Sequence, residues 1–268
     1  MQFNIQGQQA YCYTGGKAFN PALPTAVFIH GVQNDHSVWA LQTRYFAHHG
    51  FGVLALDLPS HGRSTGSPLQ SVEAMAAWLF AVLDAAGVRQ ATLIGHSMGS
   101  LVALEAAFQN PDRVRKIAMV GTAYPMKVSD VLLDASKNDE QKAIDMVTIW
   151  SHSSIAQKPS FPGPGFYAMN GDLRLMQRIA QQHGERVFHT DFSACNAYAN
   201  GEAAAQSVKC PVLFLLGKND MMTMPRHAGT LVKAMPHAEM VQLDNCGHAL
   251  MAEQPDAVLD TLFAFAKK

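Results

Sequence analysis

ATLIGHSMGSLVALEAAFQ, residues 91–109, sets a Gly-x-Ser-x-Gly sequence between an apolar run and a helix-forming run. This order predicts a strand, a tight turn at Ser97 and a helix. Such a turn drives the serine toward positive φ, and only very small side chains fit two residues before and after it. Gly95 and Gly99 meet that requirement. The serine hydroxyl then stands above the sheet edge, at the positive end of a helix, and Ser97 is the candidate nucleophile.

The alternative interpretation of this pentapeptide is a glycine-rich loop whose serine only caps the next helix. A pattern this short also occurs by accident. The flanking strand and helix, together with an acid and a histidine later in the chain, favour the nucleophile.

The composition indicates a single soluble domain of enzyme size. The 268 residues are 48% hydrophobic and 15% charged, which suffices for a large core without disulfides or metals. The formal net charge is -1 and no basic block occurs, so the sequence excludes a nucleic-acid partner and a polybasic membrane anchor. We expect a small-molecule partner.

Cysteine usage and the pattern of apolar residues indicate the compartment. The four cysteines form no CxxC pair, which favours reduced thiols over a disulfide framework or a zinc site. We recognise neither a secretory leader nor the run of about 18 apolar residues that a membrane span needs. The expected location is cytoplasmic.

Short apolar runs alternate with helical patterns along most of the chain. Strands are predicted at 3–5, 9–13, 25–29, 53–56, 92–94, 116–120, 212–216 and 239–243. Helices are predicted at 37–48, 69–86, 100–109, 225–234 and 255–266. Continuous apolar strands separated by helices predict an α/β fold with a mostly parallel sheet and helices on both faces.

A long segment interrupts this alternation between the predicted strands near Val120 and Val212. It exceeds an ordinary crossover connection several-fold. The segment contains helical patches and one stretch rich in proline and glycine: 129–133, 141–150, 172–182 and 158–165. We interpret it as an inserted helical cap, or lid, over residues 123–206, with the core formed by residues 1–122 and 207–268.

Two further residues complete a chemical set with Ser97. A serine hydroxyl is a poor nucleophile at its ordinary pKa, so acyl transfer needs an imidazole base and a carboxylate that orients it. Asp220 and His248 follow predicted strands, on the side where parallel sheets bind ligands, and are expected to converge on the serine. The competing acid, Asp244, lies too near the histidine in sequence. Asp220 itself has a competing role as a helix cap before Pro225.

Two backbone amides are expected to form an oxyanion hole. One belongs to Met98, which follows the nucleophile, and the other to Val32, which follows the His30-Gly31 pair. Which residue of 31–33 donates is open by one position. No cofactor and no metal is required for this chemistry.

Several neighbouring residues have two interpretations. Asp35, His36 and Trp39 either line the pocket or cap and pack the next helix. Asp57 and Arg63 are expected to fix a loop rather than to react. The remaining candidates are histidines expected to bond local backbone, methionines expected to fill the core, and cap residues that are candidates for the substrate wall: His30, His61, His96; Met98, Met221, Met222, Met251; Trp150, Phe161, Phe166, Met169.

Four motifs in one chain order resemble those of the α/β-hydrolase superfamily with a helical cap. They are HGV at 30–32, DLPSHGRS at 57–64, GHSMG at 95–99, and the pair GKND at 217–220 with NCGH at 245–248. The second motif is similar to DxPGHGxS, except that Ser60 replaces the usual glycine. The resemblance covers nearly the whole chain. It implies an α/β-hydrolase fold in which Ser97, His248 and Asp220 form the catalytic triad.

The expected function is a serine hydrolase that cleaves a small ester-like or carbonyl-activated substrate through an acyl-enzyme. Haloalkane dehalogenases and epoxide hydrolases are disfavoured because they carry a carboxylate where this chain has Ser97. Carbon–carbon bond hydrolases share the triad, but many have a glycine-rich oxyanion loop where this chain has Val32-Gln33-Asn34-Asp35. They, enol-lactone hydrolases and cofactor-free haloperoxidases are the alternatives, and ester hydrolysis is favoured. A small-ligand receptor is the alternative of another class, and it would not need a complete triad.

Overall fold

The computed structural model describes residues 1–153, 168–183 and 186–268. Its strands are β1 (Gln2–Ile5), β2 (Gln8–Tyr13), β3 (Thr25–Ile29), β4 (Gly52–Leu56), β5 (Ala91–His96), β6 (Val114–Val120), β7 (Val212–Gly217) and β8 (Glu239–Leu243). Its α-helices are α1 (Ala40–His48), α2 (Val72–Ala85), α3 (Met98–Gln109), α4 (Asp130–Asn138), α5 (Glu140–Trp150), α6 (Ala168–His183), α7 (Val187–Ala197), α8 (Gly201–Ser207), α9 (Gly229–Ala234), α10 (Leu250–Glu253) and α11 (Pro255–Lys267). Short 3-10 helices occupy His36–Trp39, Pro111–Arg113 and Pro225–Ala228.

The strands form one sheet in the order β1-β2-β4-β3-β5-β6-β7-β8. The opening hairpin β1-β2 is antiparallel and so is the pairing of β2 with β4, whereas the other neighbours are parallel. This arrangement confirms the predicted hairpin and the mostly parallel sheet. The carboxyl ends of the parallel strands meet at one edge, where α/β proteins bind ligands.

The apolar strands are continuous because helices cover both faces of the sheet. Val27 and Ile29 of β3 belong to the cluster that packs on α2, α3 and α9. Ala26 and Phe28 of the same strand belong to the cluster that packs on α1 and α11. Successive side chains of a strand point to opposite faces, so a strand buried on both faces shows no polar alternation.

Among the described residues between β6 and β7, where the sequence predicts an inserted cap, there are five helices, α4 to α8. Leu132, Ile144, Met176 and Phe188 form an apolar cluster shared by α4, α5, α6 and α7. The helical patches at 129–133, 141–150 and 172–182 correspond to α4, α5 and α6, whereas α7 and α8 were not predicted. The stretch 158–165 lies outside the described residues. The boundaries at 123 and 206 stay predictions.

The turn at Ser97 adopts the strained conformation that the motif predicts. Ser97 has φ 53° and ψ -119°, directly before α3. A Cβ atom on Gly95 would overlap the Gly99 carbonyl, and one on Gly99 would overlap the Ile29 carbonyl of β3. The two glycines therefore let α3 approach the sheet closely enough for the serine to stand at its edge.

None of the helices in the described ranges combines the length and hydrophobicity needed to cross a membrane. The cytoplasmic location stays a prediction from the sequence.

We expect Gly99→Ala to destabilise the protein by about 3 kcal/mol, because the new methyl group meets backbone carbonyls of β3 that cannot move aside. Gly229→Ala is the matched control, since a Cβ there meets nothing within 4 Å and φ is -56°. It should be neutral or stabilising by up to about 1 kcal/mol. Urea unfolding of the two variants measures both effects, and equal stabilities would contradict the close approach.

Candidate active site

The candidate nucleophile is held at the sheet edge by hydrogen bonds on both sides of its strained peptide. Its N–H donates to the Val120 carbonyl at 2.9 Å, which continues the pairing of β5 with β6. Its carbonyl accepts from the Ser100 hydroxyl at 2.5 Å, and that hydroxyl lies 2.7 Å from Thr122 Oγ1. Ser97 is 8% exposed and borders a cavity.

The structure brings Asp220 and His248 together. His248 Nδ1 lies 2.8 Å from Asp220 Oδ2, and both side chains are buried. A carboxylate only accepts, so Nδ1 carries the hydrogen and Nε2 of the neutral ring is left as an acceptor. Asp244, the competing acid, is instead largely exposed and pairs with Lys218 at 2.6 Å.

Asp220 is held in its ionised form. It accepts the N–H groups of Met222 and Thr223 at 2.8 and 2.7 Å, and the Thr223 hydroxyl at 2.7 Å. Burial by itself would raise the pKa of Asp220, but the His248 ring and the donors of Thr223 lower the pKa to about 2. Asp220 therefore faces the His248 ring as a carboxylate near neutral pH.

The acid loop and the histidine loop meet because a glycine ends β7. A Cβ atom on Gly217 would overlap the Gly247 carbonyl. The Asn219 N–H donates to the Cys246 carbonyl at 2.9 Å. The Glu253 carboxylate accepts the Gly247 N–H from the other side. These backbone bonds set the positions of both catalytic candidates before any ligand binds.

The loop after β3 packs directly on the serine turn. A Cβ on Gly31 would lie 3.1 Å from Ser97 Cβ, so this glycine allows the contact. Val32 borders the cavity. The Gln33 N–H donates to Asp191 Oδ2 at 3.1 Å, which makes it unavailable to an oxyanion. Of the amides that the sequence left open, the geometry thus favours Val32 over Gln33.

Met98 supplies the second candidate amide. It is the first residue of α3, so its N–H has no partner inside the helix. In the part of the chain that the structure describes, no acceptor binds the Val32 amide or the Met98 amide. Both donors are therefore free for a ligand oxygen.

Three other histidines surround the site. His30 bonds the carbonyl of the next residue at 2.8 Å, which confirms the expected local backbone contact. His96 reaches further than expected, since its Nε2 lies 2.9 Å from the His248 carbonyl. His61 adds to its local contact a bond to Asp191 at 2.9 Å. Burial lowers the pKa of His30 to about 4 and that of His96 to about 3, so neither ring carries charge near pH 7.

A cavity of about 930 Å³ lies between the sheet edge and the helices of the insertion. The core side contributes Val32, Asn34, His96, Ser97, Met222, His248 and Met251. The segment between β6 and β7 contributes Val147, Thr148, His152, Asp172, Leu175, Met176, Arg178 and Phe192. Two methionines expected in the core, Met222 and Met251, thus line the cavity. Met98 is fully buried in the core, and Met221 is 62% exposed.

The predicted substrate wall is different in detail. Trp150 packs in the apolar cluster of α4 to α7 instead, and Met169 does not border the described walls of the cavity. Phe161 and Phe166 lie outside the described residues. The cavity walls contributed by α5 and α6 consist mostly of residues that are not aromatic, so a search for aromatic residues did not find them.

In the described ranges, one group of three potential metal-ligating residues has its ligand atoms within 4.8 Å of one another. It consists of Asp35, His36 and Asp57. Asp57 already accepts the His36 N–H, the His36 ring and the Arg63 N–H, each at 2.8 Å. Asp35 caps the 3-10 helix, and Trp39 packs on the sheet. The carboxylates are occupied by protein donors, so the group fixes loops, as expected for Asp57 and Arg63.

Two contacts of the site were missed from the sequence. Thr223 stands three residues after Asp220, and that spacing is typical of a turn in which the carboxylate accepts from the following backbone and hydroxyl groups. It was a usable signal. Asp191 lies in α7, 158 residues from its partner Gln33, and no local pattern connects them.

Comparison with known proteins assigns the chain to a family. Residues 26–261 match the Alpha/beta hydrolase family. The chain is 25% identical to mouse (Mus musculus) sn-1-specific diacylglycerol lipase ABHD11 over 250 residues, covering 91% of this chain and 81% of that protein. It is 26% identical to the pimeloyl-[acyl-carrier protein] methyl ester esterase of Klebsiella pneumoniae strain 342 over 260 residues, covering 89% and 91%.

A solved structure gives the same fold. The enol-lactonase from Burkholderia xenovorans LB400 superposes with a TM-score of 0.83 at 20% identity, covering 100% of both chains. This likeness confirms the predicted α/β-hydrolase fold. Because the family match spans most of the chain, the protein belongs to the α/β-hydrolase family, whose members include esterases and other hydrolases.

Proposed function

We propose that the protein is a serine hydrolase that cleaves small ester-like substrates through an acyl-enzyme. The observation that carries the proposal is the 2.8 Å contact between His248 Nδ1 and Asp220 Oδ2, on the same cavity as Ser97. Nucleophile, base and orienting acid thus come from three loops at one sheet edge, as acyl transfer requires.

In the acylation step, Ser97 Oγ attacks the carbonyl carbon while His248 Nε2 takes the hydroxyl proton. The carbonyl oxygen becomes an oxyanion, which the N–H groups of Val32 and Met98 stabilise. Asp220 stabilises the imidazolium without taking its proton. Collapse of the intermediate transfers that proton from the histidine to the leaving alcohol.

In the second step, water attacks the acyl-enzyme. His248 now takes a proton from the water, and the same two amides hold the second oxyanion. When this intermediate collapses, the proton returns to Ser97 Oγ and the carboxylic acid leaves. No atom or electron is needed beyond substrate and water.

The activities named for similar proteins and the volume of the cavity support an ester substrate of small-molecule size. A lipase and a methyl ester esterase are among the similar proteins. A volume of about 930 Å³ is at the upper end of ordinary small-molecule sites, which span roughly 300–1,000 Å³. Carbon–carbon bond, enol-lactone and haloperoxidase chemistry need the same triad, so activity assays on one substrate of each class are needed to separate the alternatives.

Ser97→Ala should lower the turnover of p-nitrophenyl butyrate by a factor on the order of 10⁶, since it removes the nucleophile. It should also abolish stoichiometric labelling by a fluorophosphonate. Ser136→Ala, at a buried serine of α4, is the matched control and should keep its activity within a few-fold. Full activity of Ser97→Ala would disprove the mechanism, and saturable binding without turnover in the wild type would favour a receptor.

Thr223→Val should lower kcat about 10-fold with little change in KM. The substitution keeps the shape but removes the hydroxyl that lies 2.7 Å from Asp220 and 3.1 Å from His248 Nδ1, so the base is held less firmly. Thr43→Val, at a buried threonine whose hydroxyl bonds only its own helical region, should leave kcat unchanged. Steady-state kinetics on one ester compares the two, and equal kcat values would exclude a positioning role for Thr223.

Asp220 should make stability depend on pH in acid. Its pKa is lower in the folded protein than the ordinary 3.8, so the unfolded chain binds the proton first and stability falls as the pH falls. Between about pH 5 and pH 3 the wild type should lose about 1 kcal/mol more than Asp220→Asn. Urea unfolding at the two pH values measures this, with the exposed Asp244→Asn as control. Parallel losses in wild type and Asp220→Asn would refute it.

A further inference from the structure

A further imidazole–carboxylate pair, fully buried, lies beneath the cap and outside the triad. His61 Nε2 lies 2.9 Å from Asp191 Oδ2, and each side chain is 1% exposed. His61 belongs to the loop after β4, whereas Asp191 belongs to α7. The pair is therefore a buried link between core and cap, and the proposed reaction does not use it.

The hydrogen-bond pattern favours a protonated His61 ring. His61 Nδ1 lies 3.0 Å from the Pro59 carbonyl, which only accepts, and Nε2 faces the Asp191 carboxylate, which also accepts. Both ring nitrogens then carry hydrogen. Burial opposes the charge, but Asp191 outweighs it and raises the pKa of His61. A paired buried carboxylate of this kind has one fixed position.

The same carboxylate oxygen holds the oxyanion loop. Asp191 Oδ2 also accepts the Gln33 N–H at 3.1 Å. Gln33 has φ 54°, a conformation that a non-glycine residue adopts only when its surroundings impose it. The Gln33 side chain gives a further anchor, since its Nε2 lies 3.1 Å from Glu140 Oε1 of α5 and 3.3 Å from the Met176 carbonyl of α6.

The anchoring of Gln33 also affects the Val32 amide, which precedes it in the loop. Turning the Gln33 N–H toward α7 fixes the peptide plane next to it, and the left-handed conformation at this residue reverses the chain. The Val32 N–H then stays free of protein acceptors at the cavity. Without Asp191, the Gln33 amide is a buried donor lacking its acceptor, and the loop relaxes to satisfy it.

We propose that Asp191 is a positioning residue that holds the oxyanion loop in its competent conformation, so that the cap helps to form the oxyanion hole. The inference rests on the proposed function, because it assumes that Val32 donates to an oxyanion. His61 holds Asp191 in place, and Asp191 fixes Gln33.

The test compares Asp191→Ala with Asp191→Asn. Alanine removes both acceptor oxygens, whereas asparagine can keep one oxygen at the position of Oδ2. Tyr198→Phe is the matched control. It deletes another buried hydrogen bond between the cap side and the core, which the Tyr198 hydroxyl donates to Glu105 at 2.8 Å. This bond lies away from the oxyanion loop. The measurements are kcat and KM on p-nitrophenyl butyrate, the affinity of a trifluoromethyl ketone, and the unfolding midpoint.

Asp191→Ala should lower kcat about 10- to 100-fold, with KM within about two-fold, because the lost interaction acts on the oxyanion rather than on the bound ester. The trifluoromethyl ketone, whose hemiketal carries an oxyanion, should lose affinity by the same factor. Asp191→Asn should retain most of kcat. Tyr198→Phe should lower the unfolding midpoint and keep both kcat and inhibitor affinity.

Where Asp191→Ala does not fold, the double variant H61F/D191L removes both charges together and carries the same expectation. Wild-type kcat and inhibitor affinity in either variant would overturn the inference, as would equal losses in Asp191→Ala and Asp191→Asn. The reference is Ser97→Ala. If it is inactive while Asp191→Ala is unaffected, only the inference fails, whereas an active Ser97→Ala removes the proposed function itself.

Discussion

The close approach of α3 to β3 and β5 is the constraint on which the rest of the structure depends. A helix normally packs on a sheet through side chains, but here Gly95 and Gly99 bring backbone against backbone. The resulting contact leaves the intervening residue no choice but a left-handed conformation, at φ 53°. The strain is sustained by the surrounding apolar layers, since β5 is buried along its whole length and α3 is buried from Met98 to Ala107.

Glycines allow a close approach at two further places in the candidate site. Gly31 lets the loop after β3 touch the side chains of His96 and Ser97. Gly217 lets the acid loop meet the histidine loop backbone to backbone at Gly247. The groups that must act together are thus set in position when the protein folds, which is the condition for electrostatic stabilisation without reorganisation.

The sequence predicts those features that depend on local backbone chemistry. The strands, the serine turn and the positions of Asp220 and His248 follow from glycines, apolar runs and chain order, and the fold was recognised from them. The helices between β6 and β7 depend less on local sequence. Helices α7 and α8 have no distinct apolar period, and their positions come from packing on α3, α4 and α9. The roles of Thr223 and Asp191 are set by contacts in space, and only the first of these has a local sequence spacing.

Contacts in space also connect the segment between β6 and β7 to the loops of the candidate site. A cap that only covered the cavity would leave the reacting groups unchanged when it moved. In this protein Ser151, at the end of α5, accepts the N–H of Ala249 at 2.8 Å, directly after His248. On the opposite side Asp191 holds Gln33 beside the oxyanion loop. The helices between β6 and β7 thus hold both the loop that carries His248 and the loop that carries Val32 and Gln33. Under the proposed mechanism, a change in these helices that alters substrate fit also alters the geometry of the groups that react.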